Sequence, residues 1–327
     1  MNDMHLLDSL GIALDPPGAE LPPRLRHRAL RTAEAAADGP ARRRRGLTGL
    51  VRSPWRRRLV LAGALAAVLT AGLLTAQVTD FGRRPAASAS ASEVLHGAAA
   101  AALARPGVTV RDDQFVYVES LDSGVAIGLA GTRLETRHRD VWMSVDGTQD
   151  GLIRIDRTDV AVPGCRNGRQ TQSKGGKSET TACRPVRGYL PDLPTDSDRM
   201  REYLYAHSSG GNPRDQQAFT TAADLIREAY LSPAALAAVF DAVAKIPGVD
   251  VVGDVTDQAG RHGVAVALDE VQGMRTELVF DKQTHAFLGV RAVMYRDSPA
   301  DGLHKGDVFS SFAVLHVAVV DRAGQTP

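Results

Sequence analysis

The stretches VDVVGDVTDQAGRHGVAVAL (249–268) and RTELVFDKQTHAFLGVRAVMY (275–295) decide the fold. Each holds two apolar runs around a short polar turn. Val249 to Val255 and Gly263 to Leu268 flank Asp257-Gln258-Ala259-Gly260; Arg275 to Phe280 and Phe287 to Tyr295 flank Asp281-Lys282-Gln283-Thr284-His285. β-Branched and aromatic side chains suit a pleated surface, while Asp and Gly suit the turns. Strands joined by so few residues pair antiparallel, because a parallel return needs a crossover of a dozen residues or more. A long final run, Phe309 to Val320, extends the same meander.

Upstream, the periodicity changes. Ser232-Pro233 is a cap followed by proline at the first helical position. The helix it opens carries Leu236, Val239, Phe240 and Val243 and stops at Pro247. Phe219, Ala222, Ala223, Ile226 and Tyr230 share one helical face, and Thr195 is an N-cap candidate for a helix through Tyr205. Further upstream, Gln114 to Leu121, Arg137 to Val145 and Leu152 to Ile155 read as strands, with Asp146-Gly147 as a tight turn between two of them. A helix over Glu93 to Ala104 precedes them. The fold class expected for residues 92–322 is thus α+β: a curved antiparallel sheet, or half-barrel, with covering helices.

The N-terminal part reads differently. Leu59 to Val78, LVLAGALAAVLTAGLLTAQV, has no charged residue. Twenty residues at about 1.5 Å rise span about 30 Å, the thickness of the bilayer core. We read 59–78 as a transmembrane helix, 1–58 as a mostly disordered cytoplasmic basic segment and 79–91 as a small-residue linker. Residues 1–58 hold 12 Arg against 6 Asp or Glu, whereas 79–327 hold 27 basic and 32 acidic residues. Arg56, Arg57 and Arg58 abut the span, and basic residues collect on its cytoplasmic flank, so the C-terminal domain is expected outside the membrane. The arginines are read as this orientation signal rather than a nucleic-acid patch. A signal peptide would begin near residue 1 and have a shorter apolar core. A retained anchor is therefore favoured over late cleavage at the ASASAS stretch.

Both cysteines, Cys165 and Cys183, lie in that outer domain and flank a polar, glycine-containing segment with the composition of a surface loop. In an oxidising compartment the pair reads as a disulfide, against the alternative of two unrelated thiols. Without paired histidines they are a poor zinc signature.

Catalytic signatures are lacking. Gly175-Gly176-Lys177-Ser178 resembles the end of a phosphate-binding loop, but Thr171 stands where the first glycine is required. The histidines are scattered. His316, in the last strand, reads as a core or edge residue, and Trp142 and Met143 as core. The expectation is no catalytic, metal or cofactor site, and a non-enzyme.

Several segments together resemble a group of actinobacterial single-pass membrane proteins of uncharacterised function. They are the Arg-flanked anchor, ASASEVLHGAAAAAL (89–103), QFVYVES (114–120), RDVWMSVDG (139–147), LPDLPTDSDRMREYL (190–204) and LSPAALAAVFDAVAKIPGV (231–249), with the terminal GVAVALD and ELVFDKQTHAFLGVRAVMY stretches. More remotely, the helix–strands–helices–strands order is similar to the lipoprotein-carrier (LolA/RseB-like) fold, which also forms a domain of periplasmic regulators of envelope-stress sigma factors. That resemblance implies an open half-barrel with helices plugging an apolar concavity, and it transfers no binding residue. Two functions stay open: a sensor whose head binds a cytoplasmic partner such as a sigma factor, or a tethered carrier for a lipid or lipoprotein-like apolar ligand. A structural envelope protein is a third.

Overall fold

The computed structural model describes residues 87–128, 131–174, 176–208, 210–268, 273–299 and 302–327. The basic segment 1–58, the expected span 59–78 and Arg56, Arg57 and Arg58 lie outside the described residues. Among the described residues, no helix is long and apolar enough to cross a membrane.

Four strands come first: β1 (Phe115–Gly128), β2 (Gly131–Ser144), β3 (Gly151–Ile155) and β4 (Thr158–Val162). A separate hairpin follows, β5 (Arg169–Lys174) and β6 (Lys177–Ala182). The last five are β7 (Val249–Thr256), β8 (His262–Leu268), β9 (Met274–Asp281), β10 (Phe287–Met294) and β11 (Val308–Val320). Nine of them form one antiparallel sheet in the order β4-β3-β2-β1-β11-β10-β9-β8-β7. The sheet is two meanders joined where β11 pairs with β1, from Phe115↔Val320 to Gly124↔Ser310. Its outer strands, β4 and β7, do not pair with each other, so it is open and not a closed barrel.

The helices are α1 (Ala89–Leu103), α2 (Ser197–His207), α3 (Arg214–Glu228) and α4 (Pro233–Val243). Ser88 caps α1, its Oγ accepting from Ala91 N at 3.1 Å, and the Ser88 N–H donates to Val249 O of β7 at 2.9 Å. The helix therefore starts within the segment expected to be linker, because that serine both ends the extended chain and ties it to the sheet edge. Ala91, Leu95, Ala98 and Ala102 are buried at helical spacing, and their small side chains let α1 lie close on α4. Ser232 caps α4 as its sequence implies, accepting from Ala235 N at 3.2 Å. Asp196, one residue after the expected Thr195, caps α2. Helix α4 is buried on most sides, and Phe240 meets Phe280 and Phe287 with ring centroids 5.3 and 6.2 Å away.

The stretch between the cysteines is a hairpin rather than a loop. Thr171 pairs with Thr180 and Ser173 with Ser178 through their hydroxyls, each at 2.9 Å. Cys165 and Cys183 are joined at its base, Cα atoms 5.9 Å apart. The β6 residues are exposed throughout, so no apolar alternation marks this strand in the sequence.

Candidate functional site

The sheet's cross-strand register fixes what each face presents. One row runs Asp122–Phe312–Val290–Leu278–Val266–Val251 across β1, β11, β10, β9, β8 and β7. Its apolar end lies in the core beneath the helices, together with Leu268 and Phe280. Its β1 end is polar. The helical cover changes character over the same distance: α1 and α4 are alanine-rich, whereas α3 brings Asp224 and Arg227.

A groove of about 320 Å³ opens where this change occurs. Thr220, Ala223, Asp224 and Arg227 of α3 form one wall. The other wall is Asp122 and Ser123 of β1, Thr276 of β9, Val290, Arg291 and Ala292 of β10, and Ser310, Ser311 and Phe312 of β11. The Arg227 guanidinium lies over the Phe312 ring, 5.2 Å from its centroid. Asp122 accepts from Ser120 Oγ at 2.8 Å, and Arg139 Nε stands 3.8 Å from it. The groove thus offers the acids Asp122 and Asp224, the Arg227 guanidinium and the Phe312 ring. Such a surface selects a ligand carrying both charge signs and an apolar group.

Part of the opposite face is covered by the chain itself. Strand β7 carries a bulge between Val251 and Gly253, and Gly253 has φ +120°, a conformation suited to glycine. Beyond it the β7–β8 turn folds back over β10, β1 and β2. Arg261 donates to Leu288 O at 2.9 Å, Arg291 to Thr256 O at 3.1 Å, and Gln258 Nε2 to Thr136 Oγ1 at 2.7 Å. Asp257 pins the turn by accepting from Ala259 N, Arg261 N and the Arg261 guanidinium. Under this flap, fully buried Glu277 receives Arg275 Nη2 and Arg291 Nη2, each at 2.8 Å. The Arg291 guanidinium is therefore committed to the flap side of the sheet.

Apart from Ala223, named as part of an apolar helical face, none of the groove residues stood out in the sequence. They come from five elements, and no local motif joins them. Of the residues singled out, Trp142 is buried and stacks near Tyr117 at 5.2 Å, Met143 is half-buried, and His316 is exposed on β11, a central strand. The core-or-edge expectation for His316 fails because β11 inserts between the two meanders instead of ending the sheet. The Cys165–Cys183 pair lies away from the groove lining.

No protein-family model and no curated protein matches the sequence. Among solved structures, the chain is similar to that described as the complex of Pseudomonas aeruginosa MucA/MucB, at 14% identity and TM-score 0.23. The match covers 73% of this chain and 59% of that one, so the chain spans about three-fifths of that relative's length. It is also similar to a LolA superfamily protein from Nitrosomonas europaea, at 10% identity and TM-score 0.21 over 72% of this chain and 94% of that one. A third is a putative outer membrane lipoprotein-sorting protein domain from Vibrio parahaemolyticus, at 12% identity and TM-score 0.22, covering 72% and 95%. Overlaps this loose carry no argument about function, which rests instead on the chain's own residues.

Proposed function

We propose that this chain is a membrane-anchored regulatory protein whose folded domain senses a component of the cell envelope. In this reading residues 59–78 span the membrane, Arg56, Arg57 and Arg58 hold the N-terminal side in the cytoplasm, and residues 1–58 engage a cytoplasmic protein such as a sigma factor. The domain from 92 onward works outside the membrane, where its disulfide is stable. Its role is recognition without catalysis.

The groove beneath α3 carries this reading. Asp122, Asp224, Arg227 and Phe312 line one cleft of about 320 Å³, a set matched by a polypeptide segment with charged and apolar side chains. A carrier of acyl chains, the alternative, calls for an apolar concavity. Here Phe240, Phe280, Phe287 and Leu278 occupy the space between α4 and the sheet. The carrier reading requires the helices to move.

The test uses the full chain in native membranes, with a photo-reactive residue in place of Thr220. Regulation predicts a cross-link to an envelope protein, its loss with Arg227→Glu, and a cytoplasmic protein retained by the full chain but lost when residues 1–58 are removed. A cross-link to lipid alone would establish the carrier instead. Retention of no cytoplasmic protein would end the regulatory reading.

A further inference from the structure

We propose that the exposed sheet face at β2, β1 and β11 holds a divalent first-row metal ion of the zinc type, ligated by His138, Glu119 and His316. Zinc and its neighbours take imidazole nitrogen and carboxylate oxygen at about 2.0–2.2 Å, with water completing an open site.

The register assembles the group. Glu119 of β1 stands directly opposite Asp140 of β2 on one side and His316 of β11 on the other. Residues opposite one another in an antiparallel pair share a face, with Cβ atoms about 4.5–5.5 Å apart, and like charges so placed are destabilising. The Glu119–Asp140 pair therefore calls for a cation between its carboxylates. His138, next along the same face of β2, leans over both: its Nε2 is 2.9 Å from Glu119 Oε1 and its Nδ1 is 3.5 Å from Asp140 Oδ2. Glu119, His138 and Asp140 each offer a ligand atom, all within 4.8 Å of one another.

Neighbouring side chains buttress this group. Without a metal the 2.9 Å contact is a hydrogen bond from His138 Nε2–H to Glu119; with a metal bound, the Nδ1–H would turn to Asp140 and Nε2 would ligate, the carboxylate–histidine arrangement that orients metal-bound imidazoles. Asp140 is in turn held by the Tyr117 hydroxyl, which donates to its Oδ1 at 2.8 Å. Tyr117 is wedged against Trp142 and lies 6.3 Å from the His316 ring. The register of β1 against β11 shifts immediately after the Glu119–His316 pair, a bulge of the kind that re-aims side chains beside functional sites. His316 is exposed and stands opposite Glu119, and its part in the proposed site requires the ring to turn toward that carboxylate. Arg154 stands opposite Asp140 on β3 as a competing cation. Its guanidinium is engaged by both oxygens of Asp159, at 2.6 and 2.9 Å.

This site lies on a different part of the sheet from the groove and does not depend on the regulatory reading. The test is calorimetric titration of the full chain with Zn²⁺ alone, with Co²⁺ absorption as a second readout. We expect one Zn²⁺ per chain and a Co²⁺ spectrum of mixed nitrogen–oxygen ligation. Glu119→Gln, which keeps the shape of the side chain, and His316→Ala should each weaken binding at least about tenfold. Asp140→Asn, acting through His138, should weaken it about 10–100-fold, as loss of an outer-shell partner does. His138→Ala should abolish the Co²⁺ spectrum, with far-UV circular dichroism verifying the fold. Absence of stoichiometric binding, or wild-type binding in Glu119→Gln, overturns the proposal even if His138→Ala misfolds.

Discussion

Two carboxylates show how differently an acid can be used in this domain. Glu277 is fully buried between Arg275 and Arg291, and removing one partner of a buried charge set leaves the others uncompensated. Glu277→Ala should therefore cost about 3–5 kcal/mol, read as a lower urea midpoint at unchanged slope. Asp281 is a turn residue: its Oδ1 accepts from Thr284 N at 2.7 Å, Thr284 Oγ1 at 2.9 Å and Gln283 N at 2.9 Å. The Thr284 backbone bond first, then that residue's hydroxyl and Gln283, hold the carboxyl below its ordinary value. A depressed carboxylate favours the folded state above the unfolded pKa of about 3.9 and loses that contribution as pH falls through the folded value. Thermal unfolding of wild type and Asp281→Ala should differ at neutral pH and converge in strong acid. An unchanged difference in acid would assign the effect to backbone geometry. Asp281 stood out as part of a turn from sequence alone; Glu277 did not, because nothing near it in the chain reveals that Arg291 is its partner.

At the scale of elements, the helix–sheet contact rests on aromatic packing. Phe240 of α4 is 1% exposed and meets Phe280 edge-on, so Phe240→Ala should destabilise by about 3–5 kcal/mol in equilibrium unfolding. The β5–β6 hairpin has no such core. It is closed by hydroxyl pairs and by Cys165–Cys183, whose loop length corresponds to about 3 kcal/mol on the chain-entropy model. Reduction should lower stability by roughly that amount, and proteolysis should then cut first between the cysteines. These elements also mark how far the sequence can be read. Strands with a buried face announced themselves by alternation and bounding turns. Strand β1 continues to Gly128, beyond the expected Leu121, and β2 begins at Gly131, before the expected Arg137. The added residues include Asp122, Glu135 and Arg133, whose polarity hides a strand held mainly by its backbone ladder. Strands β5 and β6 were missed for the same reason, and β4, TDVAV, is too short and too exposed to show an alternation.

For the whole molecule, the prediction concerns orientation. A reporter active only outside the membrane, fused after Pro327, should be active, and moving Arg56, Arg57 and Arg58 to the far side of 59–78 should reverse it. Local pattern determined much of this protein: the α+β class, the C-terminal meander and the α4 cap. Each depends on residues within a few positions of one another, where periodicity, capping and turn chemistry act directly. Only the tertiary structure decided that β11 inserts beside β1. That one pairing placed His316 against Glu119, set Phe312 under Arg227 and opened the groove beside Asp122. Long-range strand pairing is chosen by burial of whole faces, and no short window of sequence contains it.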